Sequence, residues 1–464
     1  MSRLQRSVRA FSLRYDGYAM ANVCSHDSRM DWRVSSRTAM AEISPLRTLR
    51  YDLGAVSSLE DVIAPPYDVI DAELRAQLLA KSPLNVVEID LPESPGGGDR
   101  YQHAAETLEE WQQQGVLIRE REPALWGLEQ TYTAPDGSQR RRRGLFARVR
   151  VEDYGPGRIR PHERTHPGPK EDRLRLTRAT RANLSPIFSL FGDPDNAAGE
   201  ALDAATTGEP FASAEDHEGT QNTLWRIADS DAIAALQGAL ADAELLIADG
   251  HHRYETARVY ADEVGGEGEH RHVLMFLCSL NDPGLTVFAT HRLLDGLADD
   301  TAKQQAIREA LTRDFDVEQV ARDELEPPSP SNGDRPVQLG YMDSFHKQPY
   351  RLTLKDQSIA DAALEGKPEP YRRLDTAVLE AIVLKGALGM SEDDISHLRG
   401  LGYSKDFDDA REAVESGRYD AGFFMRATPV EQVSEVADAG ESMPPKSTYF
   451  YPKIPTGLVF NVLE

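Results

Sequence analysis

The chain has 464 residues, of which 40% are apolar and 28% charged, and its formal net charge is −25. This length predicts two or three domains with hydrophobic cores. The negative charge disfavours nucleic acids and anionic membranes as partners, because electrostatic attraction to phosphate would have the wrong sign. Two cysteines exclude a disulfide framework, and no apolar run reaches the ~20 residues of a membrane-spanning helix. We therefore expect a cytoplasmic protein.

The N-terminal residues 1–40 mix arginine, serine and methionine without periodicity. We expect this segment to be disordered or a misassigned extension. Beyond it we predict a core over residues 41–295, which includes a polar loop at 160–186. A helix and linker over 296–336 and a C-terminal α/β region over 337–464, packed on the core, complete the predicted organisation.

The first predicted elements surround a rigid loop. Pro65 and Pro66 forbid regular structure and fix an extended path that displays Asp68. Asp71 is a typical N-cap residue, so the sequence predicts a helix over 72–82. The pattern further predicts a strand over 85–91 and a helix over 101–114.

A β-hairpin is predicted next. Two alternating segments, 124–133 and 139–151, surround the turn residues 135–137. Four consecutive arginines, 140–143, lie on the second strand, and alternation sends them to opposite faces in pairs. Because runs of charge usually protect a sheet edge from aggregation, we expect a solvated edge strand here.

Helices and strands continue to alternate through the rest of the chain. Helices are predicted over 229–241, 299–314, 374–388 and 403–416, and strands over 223–228, 273–280, 286–291 and 421–426. This order predicts an α/β class of the mixed α+β kind, with a phosphate-binding core, a β-hairpin insertion and a C-terminal α/β region.

The most informative segment is the turn that follows an apolar run at residues 245–248. Asp249 and Gly250 break this run as a strand-to-helix turn would, and helical spacing resumes at residue 254. His251, His252 and Arg253 stand between the two elements. The first turn of a helix presents unpaired N–H groups and the positive end of the helix dipole. Together with an arginine, this arrangement predicts a phosphate site.

A second candidate lies in the densely polar segment from residue 160 to 188. His162, Glu163 and His166 match the zinc-protease pattern H-E-x-x-H. Prolines flank the pattern on both sides, so a helix there would last barely one turn. The zinc-protease interpretation is therefore disfavoured, since that chemistry needs both histidines on one helix face.

The polar cluster continues with Lys170, Glu171, Asp172 and Arg173, and a helix is predicted from about residue 172 to 182. Such a segment offers phosphate contacts, a carboxylate for a metal and a general base, as a functional lid would. A surface loop held by mutual salt bridges explains the same residues equally well.

The C-terminal segment offers a third candidate site. Lys446, Ser447, Thr448 and Lys453 are interleaved with aromatic residues, and prolines make the path rigid and extended. Two lysines so placed can neutralise a phosphate. The alternative is a terminal strand that closes the sheet.

Several of these segments resemble a large prokaryotic family without an assigned function, from Ala41 to Val462. The resemblance is carried by APPYDVI, HERTHPGPKEDR, ADGHHRYETA, THRLL and MPPKSTYFYPK. The motif DGHHR is also similar to that of the ParB-like superfamily, in particular its free serine kinases. The resemblance implies a ParB-like core in which residues 249–253 hold nucleotide phosphates.

The resemblance also implies a carboxylate base in an early segment. No glutamate stands in the matching context, so Asp68 is the substitute, with Glu163 and Asp172 as competitors. Catalytic roles are thus predicted for Asp68, Glu163, Asp172, Asp249 and His252. Cofactor or phosphate contacts are predicted for Gly250, His251, His252, Arg253, Lys170, Arg173, Lys446 and Ser447.

Three hypotheses follow. The first is a phosphotransferase acting on a small hydroxylated metabolite, a free serine kinase or a phosphoserine phosphatase, with ATP, ADP or another nucleotide and Mg²⁺ on Asp249. The second is a ParB-like switch that binds CTP or ATP without a metabolite substrate. The third is a metal-dependent hydrolase using His162, His166, His251 or His252. A homo-oligomer is compatible with each.

Overall fold

The computed structural model describes residues 42–464, with the exception of 95, 135–136, 164–166 and 330–335. It describes the backbone but not the side chains of residues 167–169. The extension predicted for residues 1–40, and His166 of the polar loop, therefore lie outside the described residues.

Most strands belong to two large sheets. In chain order the strands are β1 (Ile43–Ser44), β2 (Leu49–Tyr51), β3 (Leu117–Arg119), β4 (Leu125–Thr133), β5 (Gln139–Arg150), β6 (Ile159–Pro161), β7 (Ala182–Asn183), β8 (Ile187–Phe191), β9 (Ala212–Glu215), β10 (Gln221–Ile227), β11 (Leu245–Asp249), β12 (His272–Ser279), β13 (Thr286–Phe288), β14 (His291–Leu294), β15 (Phe315–Gln319), β16 (Gln338–Asp343), β17 (Tyr350–Leu354), β18 (Leu401–Ser404), β19 (Ala421–Phe424), β20 (Tyr449–Tyr451) and β21 (Asn461–Val462).

Helices separate most of these strands. In chain order the α-helices are α1 (Leu59–Val62), α2 (Ala72–Lys81), α3 (Val87–Asp90), α4 (Arg100–Gln113), α5 (Pro167–Thr180), α6 (Ala197–Ala205), α7 (Ser230–Ala239), α8 (His251–Val264), α9 (Thr301–Asp314), α10 (Gln357–Ala363), α11 (Glu369–Arg372), α12 (Asp375–Leu379), α13 (Glu392–Ser396), α14 (Phe407–Glu415) and α15 (Val430–Asp438). A π-helix (Glu380–Ala387) continues α12. No helix among the described residues is long and apolar enough to cross a membrane.

The first large sheet has nine strands and is mixed. Its order is β6-β11-β8-β12-β5-β4-β10-β9, and β1 pairs with the end of β5. β11 runs parallel to β6 and β12 runs parallel to β8, whereas the other neighbours are antiparallel. The predicted mixed α/β class is thus confirmed. The predicted hairpin forms from β4 and β5 and lies inside this sheet.

The strand that leads to the phosphate-site candidate is buried on both faces. In β11, Leu245 and Ile247 face one hydrophobic core, and Leu246 and Ala248 face the other. Helices α6, α7 and α8 supply part of the first of these cores, and the N-terminal helices supply part of the second. A strand covered on both sides reads as a continuous apolar run, which is why the sequence predicts it.

The second large sheet is entirely antiparallel. Its order is β15-β17-β16-β19-β14-β18. Helices α9, α10 and α12 pack on one face, and α14 packs on the other. Helix α9 and strand β15 come from residues 296–336, the predicted helix and linker, and they are built into this domain.

The C-terminal segment returns to the first sheet. Strand β20 pairs with β13, and β21 pairs with β7. Apolar residues of the segment, among them Met443, Phe450 and Phe460, lie in the same core as Leu246. The described residues form one compact unit. This return brings the C-terminal segment to the end of β11.

Local signals place several elements correctly. The Asp71 side chain accepts a hydrogen bond from the Leu74 N–H at 2.8 Å and caps α2, as predicted. The strand predicted over 85–91 is wrong, because α3 occupies this segment. The side chain of Asn85 explains the error. Its Oδ1 atom accepts a hydrogen bond from the Val87 N–H at 3.0 Å, and its Nδ2 atom donates to the backbone carbonyls of Asp61 and Ile63. The polar loop differs too, since α5 begins at Pro167 rather than near residue 172.

The arginine run is not a solvated edge, so this prediction is wrong. Strand β5 lies between β4 and β12, and the Arg142 side chain is fully buried. Its guanidinium donates to the Pro452 carbonyl at 2.5 Å and to Gln130, and it lies over the Phe188 ring at 4.7 Å. Arg142 therefore holds the C-terminal segment against the first sheet from inside the core.

Candidate functional site

The turn between β11 and α8 has the predicted geometry. Gly250 adopts φ 95°, a left-handed conformation that favours glycine, and it is the N-cap of α8. A Cβ atom at this position would lie 2.9 Å from Nε of Arg253. The glycine thus lets the chain turn sharply and lets the arginine fold back over the turn.

Asp249 lies at the centre of a buried group of charges. Its Oδ2 atom lies 3.3 Å from Nζ of Lys453 and 3.6 Å from a terminal nitrogen of Arg253. Burial raises the pKa of Asp249, but the charges of Lys453 and Arg253 outweigh this effect and hold it below its ordinary value. The carboxylate is therefore ionised at neutral pH.

Arg253 is buried at the first turn of α8. It donates to the Pro186 carbonyl, whereas its Nε–H has no hydrogen-bond partner within the described part of the chain. Burial lowers the pKa of Arg253, and the charges of Asp249 and Asp68 raise it further than burial lowers it. Asp68 is exposed, and its charge acts on this guanidinium from the proline loop.

A small cavity of about 40 Å³ lies beside Arg253. Polar residues, Tyr67, Asp90, Arg173 and Ser185, line it together with apolar residues such as Leu176 and Val273. Small-molecule sites usually enclose roughly 300–1,000 Å³. The cavity therefore has room for water or for part of a phosphoryl group, but not for a whole nucleotide.

Two buried histidines contact each other edge to face beside the turn. The ring centres of His162 and His251 lie 4.7 Å apart, and the backbone N–H of His162 donates to Nε2 of His251 at 3.3 Å. Nδ1 of His162 donates to the Ile247 carbonyl at 2.5 Å, so its Nε2 accepts from the Thr448 hydroxyl at 2.8 Å. Burial lowers the pKa of both histidines. Both are neutral at pH 7, and His251 carries its proton on Nδ1.

His252 also lies in the first turn of α8, and it is half-buried. His162 follows β6 and does not lie on a helix, whereas His166 of the zinc-protease pattern lies outside the described residues. Among the residues that the structure describes, no three histidine, cysteine or carboxylate side chains lie close enough together to hold a metal ion.

The surroundings of Asp249 do not fit Mg²⁺. Magnesium needs carboxylate oxygens with a net negative environment, usually with substrate phosphates. Here Lys453 and Arg253 already neutralise the carboxylate. We therefore derive no chemical step through a metal at this position.

The C-terminal candidates divide between the site and the scaffold. Lys453 lies against Asp249, and its Nζ lies 4.2 Å above the Tyr449 ring. Lys446 is exposed, and its backbone N–H donates to Glu163 at 3.1 Å. Ser447 is buried and donates to the Pro444 carbonyl at 2.7 Å. The structure thus places Lys453, rather than Lys446 or Ser447, beside the turn.

Asp172 and Arg173 belong to a buried ion-pair network. Asp172 accepts hydrogen bonds from Arg100 at 2.5 Å, from Tyr101 at 2.9 Å and from Arg173 at 2.6 Å. Arg173 also donates to the Asp90 carbonyl at 2.6 Å. With these donors around it, Asp172 is occupied as a structural acceptor.

The network still borders the site. The Arg173 guanidinium lies 4.1 Å from the centre of the Tyr67 ring, which lines the cavity beside Arg253. The Lys170 carbonyl accepts from the Thr256 hydroxyl at 3.4 Å, which ties α5 to α8. Sequence reasoning did not identify Asp90 or Ser185, because neither lies in a polar pattern. The Ser185 hydroxyl donates to Asp90 at 2.7 Å.

The fold and the site therefore define a mixed α/β protein with a buried cationic turn at the end of a core strand. A family model described as "Protein of unknown function (DUF1015)" matches residues 43–377. The chain belongs to this family, as the sequence resemblance indicated.

Solved structures with similar folds are distant. A conserved hypothetical protein from Pyrococcus furiosus has 15% identity over 68% of this chain and 95% of its own, with a TM-score of 0.34. A free serine kinase in complex with AMP has 14% identity over 69% of this chain and 91% of its own, with a TM-score of 0.37. No curated protein sequence matches the chain significantly. The ParB-like interpretation of the core stays a prediction.

Proposed function

We propose that the chain is a phosphoryl-transfer enzyme whose phosphate-binding element is the turn formed by residues 249–253. The observation that carries the proposal is the buried Arg253 guanidinium, whose Nε–H has no partner among the described residues. A buried donor left unpaired costs roughly 1–3 kcal/mol. An oxyanion in the adjoining cavity would satisfy this donor and would balance the charge of the arginine.

The first turn of α8 supports the same ligand. Helix N-termini present N–H groups and a positive dipole end, both of which favour phosphate. No side chain of the described residues caps α8. Lys453 adds a second cation, because its ammonium lies 3.3 Å from Asp249. In the absence of ligand, Asp249 would hold both cations in position. A bound phosphate dianion would then compete with Asp249 for these two cations.

Asp68 is our candidate for the general base. Its charge acts on Arg253 and on Tyr449, so its carboxylate lies near the turn. A base so placed would take the proton of a substrate hydroxyl as its oxygen attacks the terminal phosphorus of the nucleotide. The bond from that phosphorus to the bridging oxygen would break, and the shortened nucleotide would leave. Glu163 is the second choice, since Oε1 already accepts from the Lys446 N–H. Asp172 is disfavoured by its three hydrogen-bonding neighbours.

The size of the cavity limits the part of the ligand that lies inside it. About 40 Å³ beside Arg253 accommodates part of a phosphoryl group, so the rest of the ligand must lie outside this cavity. A small hydroxylated metabolite fits this arrangement. Free serine and phosphoserine are the first compounds to test, with ATP, ADP or CTP as the nucleotide.

The test is a thermal-shift screen of these compounds, with and without Mg²⁺, because a ligand that binds the folded state raises the melting temperature by mass action. Phosphorylated ligands should stabilise the natural chain. They should lose this effect in Arg253→Gln and keep it in Arg258→Gln, a control on the same helix whose arginine pairs with Asp153.

Turnover of the stabilising pair should fall about 100-fold in Arg253→Gln, the usual effect of removing one donor from a developing negative charge. Unchanged affinity for phosphorylated ligands in this variant would refute the site. If nucleotides stabilise the chain but no metabolite is phosphorylated or dephosphorylated, the result would instead support the nucleotide-dependent switch.

A further inference from the structure

A separate cleft of about 440 Å³ lies between α9 and the second large sheet. On the helix side it is lined by Gln304, Ile307, Arg308, Leu311 and Thr312, which lie three and four residues apart. This spacing places them on one face of the helix. Its volume lies within the usual range of small-molecule sites, roughly 300–1,000 Å³.

The sheet side of the cleft is mainly apolar and aromatic. Tyr341, Tyr350 and Leu352 form its floor, and Val317 and Phe345 lie at its rim. Val317 and Phe345 are large apolar residues that remain exposed, at 47% and 41% of their full surface. Exposed apolar side chains that converge on one cleft are typical of a binding site rather than of scattered surface residues.

The charges at the cleft are not equivalent. The Arg308 guanidinium is exposed at the mouth, and nothing in the described part of the chain forms a hydrogen bond or ion pair with it. Asp343, by contrast, already accepts from the Phe345 N–H at 3.1 Å and from the His346 N–H at 2.6 Å. Both of these N–H groups bond to Oδ1 of Asp343, and Nδ1 of the His346 ring lies 3.1 Å from the same oxygen. The other oxygen, Oδ2, accepts from the Tyr341 hydroxyl at 3.4 Å.

We propose that the cleft between α9 and the second sheet binds a small carboxylic acid with an aromatic or branched apolar tail. Arg308 is the free cation for the carboxylate, and its planar fork suits this group. Tyr341, Val317 and Phe345 supply the surface for the tail. An amine is disfavoured as the ligand head, since the acceptor positions of Asp343 are already in use.

The test uses 3-phenylpropanoate as the probe, with its neutral amide 3-phenylpropanamide for comparison, in calorimetric titrations of the full chain. We expect saturable binding of the acid and binding about ten-fold weaker of the amide, the effect of losing one charge-assisted contact. Arg308→Gln should weaken binding of the acid to the level of the amide. Arg308 is exposed, so this variant should fold normally, which its melting temperature checks.

Two further variants make the test specific. Arg313→Gln is the matched control, because Arg313 lies on the same helix, outside the cleft, and pairs with Asp314. It should bind the acid like the natural chain. Phe345→Ser should weaken the acid and the amide equally, since it removes only apolar surface.

Four results would overturn the proposal. The first is equal affinity for the acid and the amide, and the second is an Arg308→Gln variant that binds the acid as the natural chain does. The third is the absence of saturable binding of the acid at millimolar concentration. A dimer in sedimentation that Phe345→Ser dissociates would also overturn it, because the cleft would then be an interface between two copies.

Discussion

Replacement of Lys453 by methionine removes one of the two cations that keep the buried Asp249 carboxylate ionised. At 3.3 Å and an effective dielectric constant of about 20, this pair interacts by about 5 kcal/mol, and Arg253 at 3.6 Å contributes nearly as much. Breaking a buried pair costs about 3–5 kcal/mol. Because Arg253 remains, and the lysine no longer has to be desolvated, we expect Lys453→Met to cost about 2–3 kcal/mol.

The assay is urea unfolding of the natural chain, Lys453→Met, Asp249→Asn and the double variant at pH 7. The double-mutant cycle should give a coupling free energy of about 2 kcal/mol, because each single change leaves the other charge buried. Lys405→Met is the matched control. Lys405 also lies over the Tyr449 ring, at 4.7 Å, but it is more exposed and pairs with Glu218 on the surface. Its loss should cost less than about 1 kcal/mol.

The pH dependence gives an independent check. The folded pKa of Asp249 lies below its ordinary value, so its stabilising contribution is present above about pH 4 and is lost as pH falls through the folded value. In Lys453→Met, burial raises the pKa of Asp249 with less opposition, so the folded value lies closer to the unfolded one. This variant should therefore lose less stability than the natural chain as pH falls below about 4. Additive single variants, or equal losses for Lys453→Met and Lys405→Met, would refute the electrostatic account.

Further predictions separate catalytic from structural carboxylates and test the buried histidines. Asp68→Asn should reduce turnover at least about 100-fold with little change in the unfolding free energy. A variant that is less stable but turns over at the natural rate would contradict this role. Asp172→Asn should do the reverse and cost about 1–3 kcal/mol, since Arg173 loses one of its two carboxylate partners and keeps Asp90. Burial lowers the pKa of His291 from 6.5 to about 4. Its stabilising effect is therefore present above pH 6.5 and is lost as pH falls toward 4, by up to about 3 kcal/mol, and His291→Gln should show a flatter stability profile over this range.

The sequence predicts those features that depend on neighbouring residues. The Asp71 cap, the β4–β5 hairpin and the apolar run of β11 each reflect local chemistry, namely a side chain that satisfies an N–H group, a turn that joins two strands and burial on both faces. The turn after Asp249 belongs to the same class, because a glycine must supply the positive φ that starts α8.

Features that depend on distant residues escape prediction. Lys453 is separated from Asp249 by 204 positions, and Asp90 from Arg173 by 83. No periodicity connects such pairs, since their proximity results from the packing of whole elements. Arg142 shows the same limitation: a run of arginines is usually solvated, but the central position of β5 buries this one.

The return of the C-terminal segment to the first sheet has a consequence for synthesis. Most strands of that sheet emerge from the ribosome well before residues 430–463, which complete their hydrophobic core. Until then, Leu246 and its neighbours lack part of their cover, and incomplete chains with exposed apolar surface tend to aggregate. A prematurely terminated product should therefore need chaperones, and it should lack Lys453 and with it one of the two cations beside Asp249.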